Sequence, residues 1–201
     1  MGATYGVFGS DLTFGEGASF VSIERRAVSA AFDLRWSETS TLSFGAGASL
    51  GGSMKLDATR YTILPGWLFT VSYSRRLLDG RGAMPFLLLG VSGGGSGAST
   101  REVTYGKRAA PASAFLYAFD IRVGLTVGKT FWNVLSPYAA VRAFGGPVIW
   151  KLAGKTRTGT DRYHVQTAAG MVCSLPRGVD LFAEVAPLGE RSVTLGGGVG
   201  F

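Results

Sequence analysis

Val193-Thr-Leu-Gly-Gly-Gly-Val-Gly-Phe201 is the last stretch of the chain. Counted back in twos, Phe201, Val199, Gly197, Leu195 and Val193 form one row, and Gly200, Gly198, Gly196 and Thr194 form the other. One row is mostly apolar and the other is small or polar, which is the two-residue repeat of a β-strand. The repeat recurs upstream. Val28, Ala30, Phe32, Leu34 and Trp36 alternate with Ala27, Ser29, Ala31, Asp33 and Arg35. Trp67, Phe69, Val71 and Tyr73 alternate with Leu68, Thr70, Ser72 and Ser74, and Phe115 to Val127 alternate with Leu116 to Thr126.

Alternation alone does not separate a soluble sandwich from a membrane barrel. The placement of the charges does. The row without large side chains carries Asp33, Arg35, Asp120 and Arg122, and Ser, Gly and Ala with ions do not make a dry core. The bulky row is therefore expected to face outward, into lipid. Composition agrees: 46% of the residues are hydrophobic and 16% charged. The longest unbroken apolar candidate, Met84–Val91, falls well short of the roughly 20 residues a spanning helix needs. A bilayer accepts only helices and closed barrels, so the pattern predicts a closed barrel built as a single domain over 1–201.

Turn chemistry gives the strand count. Ser37–Ser40, Asp79–Gly82, Asn133–Pro137 and Pro176–Gly178 each lie between alternating runs, as hairpin turns do. Longer connections are expected near 15–22, 52–64, 95–112 and 152–161, with a tight one at 187–190. Short turns alternating with longer loops give an all-β, closed, antiparallel, up-and-down transmembrane β-barrel of ten strands, with eight as the alternative.

The terminal strand with its final Phe201 resembles the C-terminal strand of small bacterial outer-membrane barrels of the OmpA/OmpX type, and the likeness of pattern extends over essentially the whole chain. The penultimate outward position, Val199, departs from the second aromatic that such strands often carry. The resemblance implies the outer membrane as the compartment, Phe201 as a signal read by the barrel-insertion machinery, and a leader removed from this chain. Met1-Gly-Ala-Thr-Tyr has neither a basic start nor an apolar stretch of its own. Trp36 and Trp132 beside short turns, and Trp67 and Trp150 at the loop ends of their strands, are expected to form two interfacial aromatic belts.

Asp33, Arg35, Arg76, Asp120, Arg122, Arg142, Asp180 and Glu184 all fall on inward positions. Unmatched ions in a narrow interior are costly, so a cross-strand ladder of ion pairs is expected, either plugging the lumen or lining a narrow pore. Lys55, Arg60, Arg101, Lys107, Arg108, Lys151, Lys155, Arg157 and Arg162 fall on the loop side. There, Lys and Arg suit the phosphates of lipopolysaccharide.

Signals for catalysis are weak. His164 is the only histidine. A lipid A deacylase of this size class uses His-x-Ser, whereas His164-Val-Gln166 lacks the nucleophile, and Asp161 with His164 is not accompanied by a second pair as a barrel protease requires. The single Cys173 and lone histidine offer no transition-metal cluster. Gly124–Thr130 has one residue too few for a phosphate loop, and Gly93–Gly97 precedes no helix pattern. No cofactor is expected. The charge of +7 points to anionic surfaces, but the chain has no nucleic-acid reader motif. The sequence reading is a non-enzymatic, structural or interaction barrel whose partners are outer-membrane lipids, lipopolysaccharide and an envelope protein. A narrow channel for small solutes is the alternative, and a lipid or peptide hydrolase is the weakest reading.

Overall fold

The computed structural model describes residues 1–15, 19–56, 59–103, 114–152 and 154–200. Its strands are β1 (Gly2–Phe14), β2 (Ser19–Arg35), β3 (Ser40–Leu56), β4 (Thr59–Asp79), β5 (Phe86–Glu102), β6 (Ala114–Gly128), β7 (Leu135–Gly145), β8 (Val148–Leu152), β9 (Lys155–Asp161), β10 (Val165–Leu175), β11 (Val179–Leu188) and β12 (Arg191–Val199). A 3-10 turn, Pro176–Gly178, joins β10 to β11. β7 continues into β8 across Gly146 and Pro147, and β9 continues into β10 across 162–164. These two long strands, with the other eight, make a closed antiparallel ten-strand barrel. β12 closes the ring on β1, from Gly2↔Gly198 to Gly9↔Arg191.

The outward row is greasy along its length. Phe32, Phe44, Phe69, Val71, Phe119, Val123, Leu125, Val141, Val185, Val193 and Leu195 are all exposed, and Ile121 is 65% exposed. Such a surface fits hydrocarbon. The four short turns lie with both chain ends at one mouth, as expected. The other mouth differs from the sequence expectation, because 52–64, 95–102 and 155–161 are mostly strand rather than loop.

At that far mouth the barrel narrows. The β11–β12 hairpin stops at Leu188 and Arg191, turning through Gly189 at φ +78°. Beyond its tip β9 pairs with β1 directly, Leu12↔Asp161 to Phe14↔Gly159, while β8 pairs with β6, Phe115↔Lys151 to Ala118↔Val148. The ring there runs β1-β2-β3-β4-β5-β6-β8-β9 and back to β1. Eight strands leave an interior that side chains can just fill. They fill it with Leu12, Phe14, Val21, Ile23, Met54, Tyr61, Ile63, Leu116, Val148 and Trp150.

This apolar cap corrects the sequence reading, in which large side chains face outward on every strand. Irregularities in β3 and β4 explain part of it. Leu50 is the extra residue of a bulge whose next position, Gly51, has φ +99°, and the register shifts again between Ile63 and Gly66. Each irregularity exchanges the two rows, so Met54, Tyr61 and Ile63 turn inward beyond it.

Trp150 is also corrected. It is no belt residue: it is 0% exposed at the centre of the cap, edge-on to Tyr61 at 4.9 Å between centroids, and its Nε1 donates to Thr100 Oγ1 at 3.1 Å. Trp36 and Trp132, 74% and 82% exposed, lie at the turn mouth, and Trp67 faces outward, stacked on Phe69.

Replacing Trp150 by Ala is expected to lower stability by about 3–5 kcal/mol, the usual cost of emptying a buried aromatic site. Trp132→Ala should change it by less than about 1 kcal/mol. Denaturant unfolding of detergent-folded barrels, followed by circular dichroism, distinguishes the two.

Candidate functional site: a polar girdle and cavity beneath the apolar cap

Where ten strands become eight, the inward row changes from apolar to ionic. β6 places Asp120 and Arg122 on one face two residues apart. The Arg122 guanidinium donates through Nε to Asp120 Oδ2 and through Nη2 to Glu190 Oε2, the latter at 2.9 Å. It also lies 5.2 Å from the centroid of the buried Phe144 ring. Glu190 comes from the tip of the β11–β12 hairpin, turned into the barrel at the point where β9 takes over the pairing with β1.

The girdle continues around the short wall. Gln166 on β10, 1% exposed, donates through Nε2 to the Glu190 carbonyl at 2.6 Å. Its Oε1 accepts from Arg142 Nη1 on β7 at 3.1 Å. Arg142 holds Glu184 on β11 with two parallel bonds, Nη1 to Oε1 at 2.7 Å and Nη2 to Oε2 at 2.6 Å. Tyr138 adds its hydroxyl to Glu184 Oε2 at 2.9 Å. Two-pronged Arg–carboxylate contacts of this kind fix orientation as well as energy. The chain Asp120–Arg122–Glu190–Gln166–Arg142–Glu184–Tyr138 thus ties β6, β7, β10, β11 and the β11–β12 tip together from inside.

Beside the girdle, toward β1–β5, lies a cavity of about 380 Å³. Arg25, on the inward row of β2, reaches across it and donates through Nη1 to Ser96 Oγ on β5 at 3.0 Å. Asp161 faces the same space and accepts from Ser10 Oγ at 2.7 Å.

Of the lumen charges expected from sequence, Asp120, Arg122, Arg142 and Glu184 belong to the girdle. Asp33, Arg35, Arg76 and Asp180 do not: they are exposed toward the turn mouth and make no ion pair among the described residues. There the barrel is ten strands wide and open to water, so nothing obliges them to pair. Arg25, Gln166 and Glu190 escaped the sequence reading. Arg25 lies on the row that holds Asp33 and Arg35, and extending that row by one step would have included it. Glu190 sits in a turn, where no periodicity marks its direction.

Of the basic set, Lys55 and Arg60 are exposed on strands rather than loops. Lys155 and Arg157 are exposed too, but Arg157 is opposite Trp150 in the ladder, so both stand on the inward row at the far rim instead of facing lipid. Lys107, Arg108 and Phe201 lie outside the described residues. His164 and Asp161 are not brought together: His164 Nδ1 is 3.2 Å from the Phe144 carbonyl, while Asp161 is engaged with Ser10.

No protein-family model and no curated protein matches the sequence. Solved structures do match in fold. The chain is similar to the translocator domain of the autotransporter NalP from Neisseria meningitidis, with 14% identity, TM-score 0.51, and coverage of 100% of this chain and 88% of that one. It is similar to the transport unit of the autotransporter AIDA-I from Escherichia coli, with 11% identity, TM-score 0.52, and coverage of 100% and 89%. It is also similar to the outer membrane protease OmpT from Escherichia coli, with 9% identity, TM-score 0.50, and coverage of 98% and 93%. Those proteins include two transport barrels and a protease, so at these identities the likeness concerns architecture alone. The chain has the fold of a bacterial outer-membrane β-barrel.

The girdle predicts a strong coupling. Arg142→Met leaves Glu184 charged and nearly buried, and is expected to cost about 3 kcal/mol or more. Combining it with Glu184→Leu should recover most of that loss. Denaturant midpoints of the two single variants and the double variant, folded in detergent, measure the interaction.

Proposed function

We propose that this chain is a non-enzymatic integral outer-membrane barrel, closed to solute flow, whose far rim holds the phosphates of lipopolysaccharide. The observation that carries the reading is a cluster of outward cations above the greasy band. Lys55 on β3 lies directly opposite Arg60 on β4, and Arg101 on β5 is opposite Thr62, two residues from Arg60. All three are exposed. Like charges directly opposite one another on a sheet repel, and a phosphate between them turns that repulsion into charge-assisted hydrogen bonding. Arg26 and Lys151, also exposed and outward, extend the cationic rim to β2 and β8.

The apolar cap favours closure over conduction. A column of packed Leu, Ile, Met and Trp side chains offers an ion no hydration and no counter-charge. In a lipid setting the barrel-insertion machinery and an envelope partner are natural associates, and the hydrolase reading gains no support from the separated Asp161 and His164.

Purified barrels in planar bilayers are expected to show no steady single-channel current; a stable conductance would favour the channel reading instead. Reversing Lys55, Arg60 and Arg101 to Glu together should weaken retention of lipopolysaccharide on the immobilised barrel at least tenfold. That is about the loss of one charged hydrogen bond. Unchanged retention in the variant would remove the rim from consideration.

A further inference from the structure

The cavity beneath the cap combines four properties that neither packing nor the rim explains. Its body is apolar, with Phe8, Leu12, Ile23, Leu68, Leu116 and Val148 in its walls. Its charges do not balance. Asp120, Asp161 and Glu190 all face it, while Arg122 is already spent on Asp120 and Glu190. The other cation, Arg25, is seen donating only to a serine hydroxyl. Two of its acceptors are idle: Asp120 Oδ1 and Ser49 Oγ are shut off from solvent and have no hydrogen-bond partner among the described residues. Ser49 is 4% exposed, so its hydroxyl has no water to turn to. Finally, the cavity has a floor but no lid. Trp150 and its neighbours seal the far side, whereas the inward residues leading to the turn mouth are small and half-exposed, among them Gly45, Ser72, Gly90 and Gly124.

Together these properties specify a guest. Burying a carboxylate oxygen without a donor costs free energy, as does leaving a hydroxyl unpaired. A surplus of carboxylate over guanidinium favours a cation. An ammonium supplies three donors and no acceptor, which suits acceptors that are idle. The walls ask for a short alkyl or aryl body. The volume falls in the range of small-molecule sites, roughly 300–1,000 Å³.

The geometry points to a blind-ended binding site for a small organic cation, a primary ammonium on a short apolar body, entered from the turn mouth and held against Asp120 Oδ1. The site is independent of the cationic rim, which faces outward at the opposite mouth. Its two arginines do not reverse the preference. Arg122 is neutralised on two sides, and Arg25 is held to Ser96 on the far side of the cavity.

Three probes of equal length test the assignment on the full, detergent-folded chain by titration calorimetry: hexylammonium, hexanol and hexanoate. Hexylammonium should bind saturably, at least tenfold more tightly than hexanol, with hexanoate weakest. Asp120→Asn should reduce hexylammonium binding at least tenfold. Ala27→Phe, which fills the cavity from β2 and leaves every polar group in place, should abolish it. Ala27→Phe decides the matter alone should Asp120→Asn fail to fold. Equal binding of hexylammonium and hexanol would mean mere partition into apolar space and would overturn the proposal. So would a preference for hexanoate, or binding that survives Ala27→Phe.

Discussion

Hydrocarbon cannot hydrogen-bond a peptide group, so a sheet in a membrane must have no free edge. In this chain that requirement falls on the pairing of β1 with β12, which joins the two ends of the sequence. Once the ring is closed, the polarity of the two rows follows. The outward row meets lipid and carries Phe, Val, Leu and Ile. The inward row meets water or other side chains and carries Ser, Gly, Thr and ions. What closure does not dictate is the number of strands at each height. β12 stops pairing with β1 at Gly9↔Arg191, and β9 resumes at Leu12↔Asp161. β1 therefore has a partner on both sides through most of its length, although the partner changes.

That change of partner has energetic consequences. In the ten-strand part the lumen is too wide for small side chains to fill, and water solvates its charges. In the eight-strand part the walls approach closely enough for facing side chains to touch, and an apolar cluster gains the usual benefit of burial, about 25 cal/mol per Å². The girdle lies at the boundary. There the β11–β12 tip ends beneath β9, and Glu190 is the residue that must leave the outer wall. Arg122 and Gln166 meet it with a guanidinium and an amide. A hairpin end that would otherwise expose unsatisfied groups between lipid and core is instead drawn inward and bonded.

Much of the fold was legible because a strand repeat of two residues is difficult to disguise. The rows Val28 to Trp36, Trp67 to Tyr73 and Phe115 to Val127 gave both the outward surface and the inward ions, and the four short turns gave the count. The cap was hidden because a single inserted residue reverses the rows, and neither Gly51 nor Leu64-Pro65 announces its effect in sequence. Trp150 misled for a related reason. A tryptophan near a strand end suits a lipid interface, but β8 belongs to the narrowed ring, where its inward row is dry. Of the site, Asp120, Arg122, Arg142 and Glu184 were visible as inward charges. Their grouping was not, because it depends on Glu190 and Gln166, brought to them by pairings between strands distant in sequence.

Placing the dry layer at one end of the barrel also determines what the interior can be used for. A cap at mid-height would have split the lumen into two shallow cups, and ions throughout would have left a wet column. With the apolar layer near the far mouth, the remaining depth forms one vestibule with a single entrance. Its innermost surface is set by residues of both kinds, Leu116 and Val148 above, Asp120 and Glu190 beside. Charges at that depth are held by short contacts, whereas Asp33, Arg35, Arg76 and Asp180 near the entrance are solvated. The inward ions therefore divide by height into a bonded set and a free set. Only the bonded set has the fixed geometry that selective recognition requires.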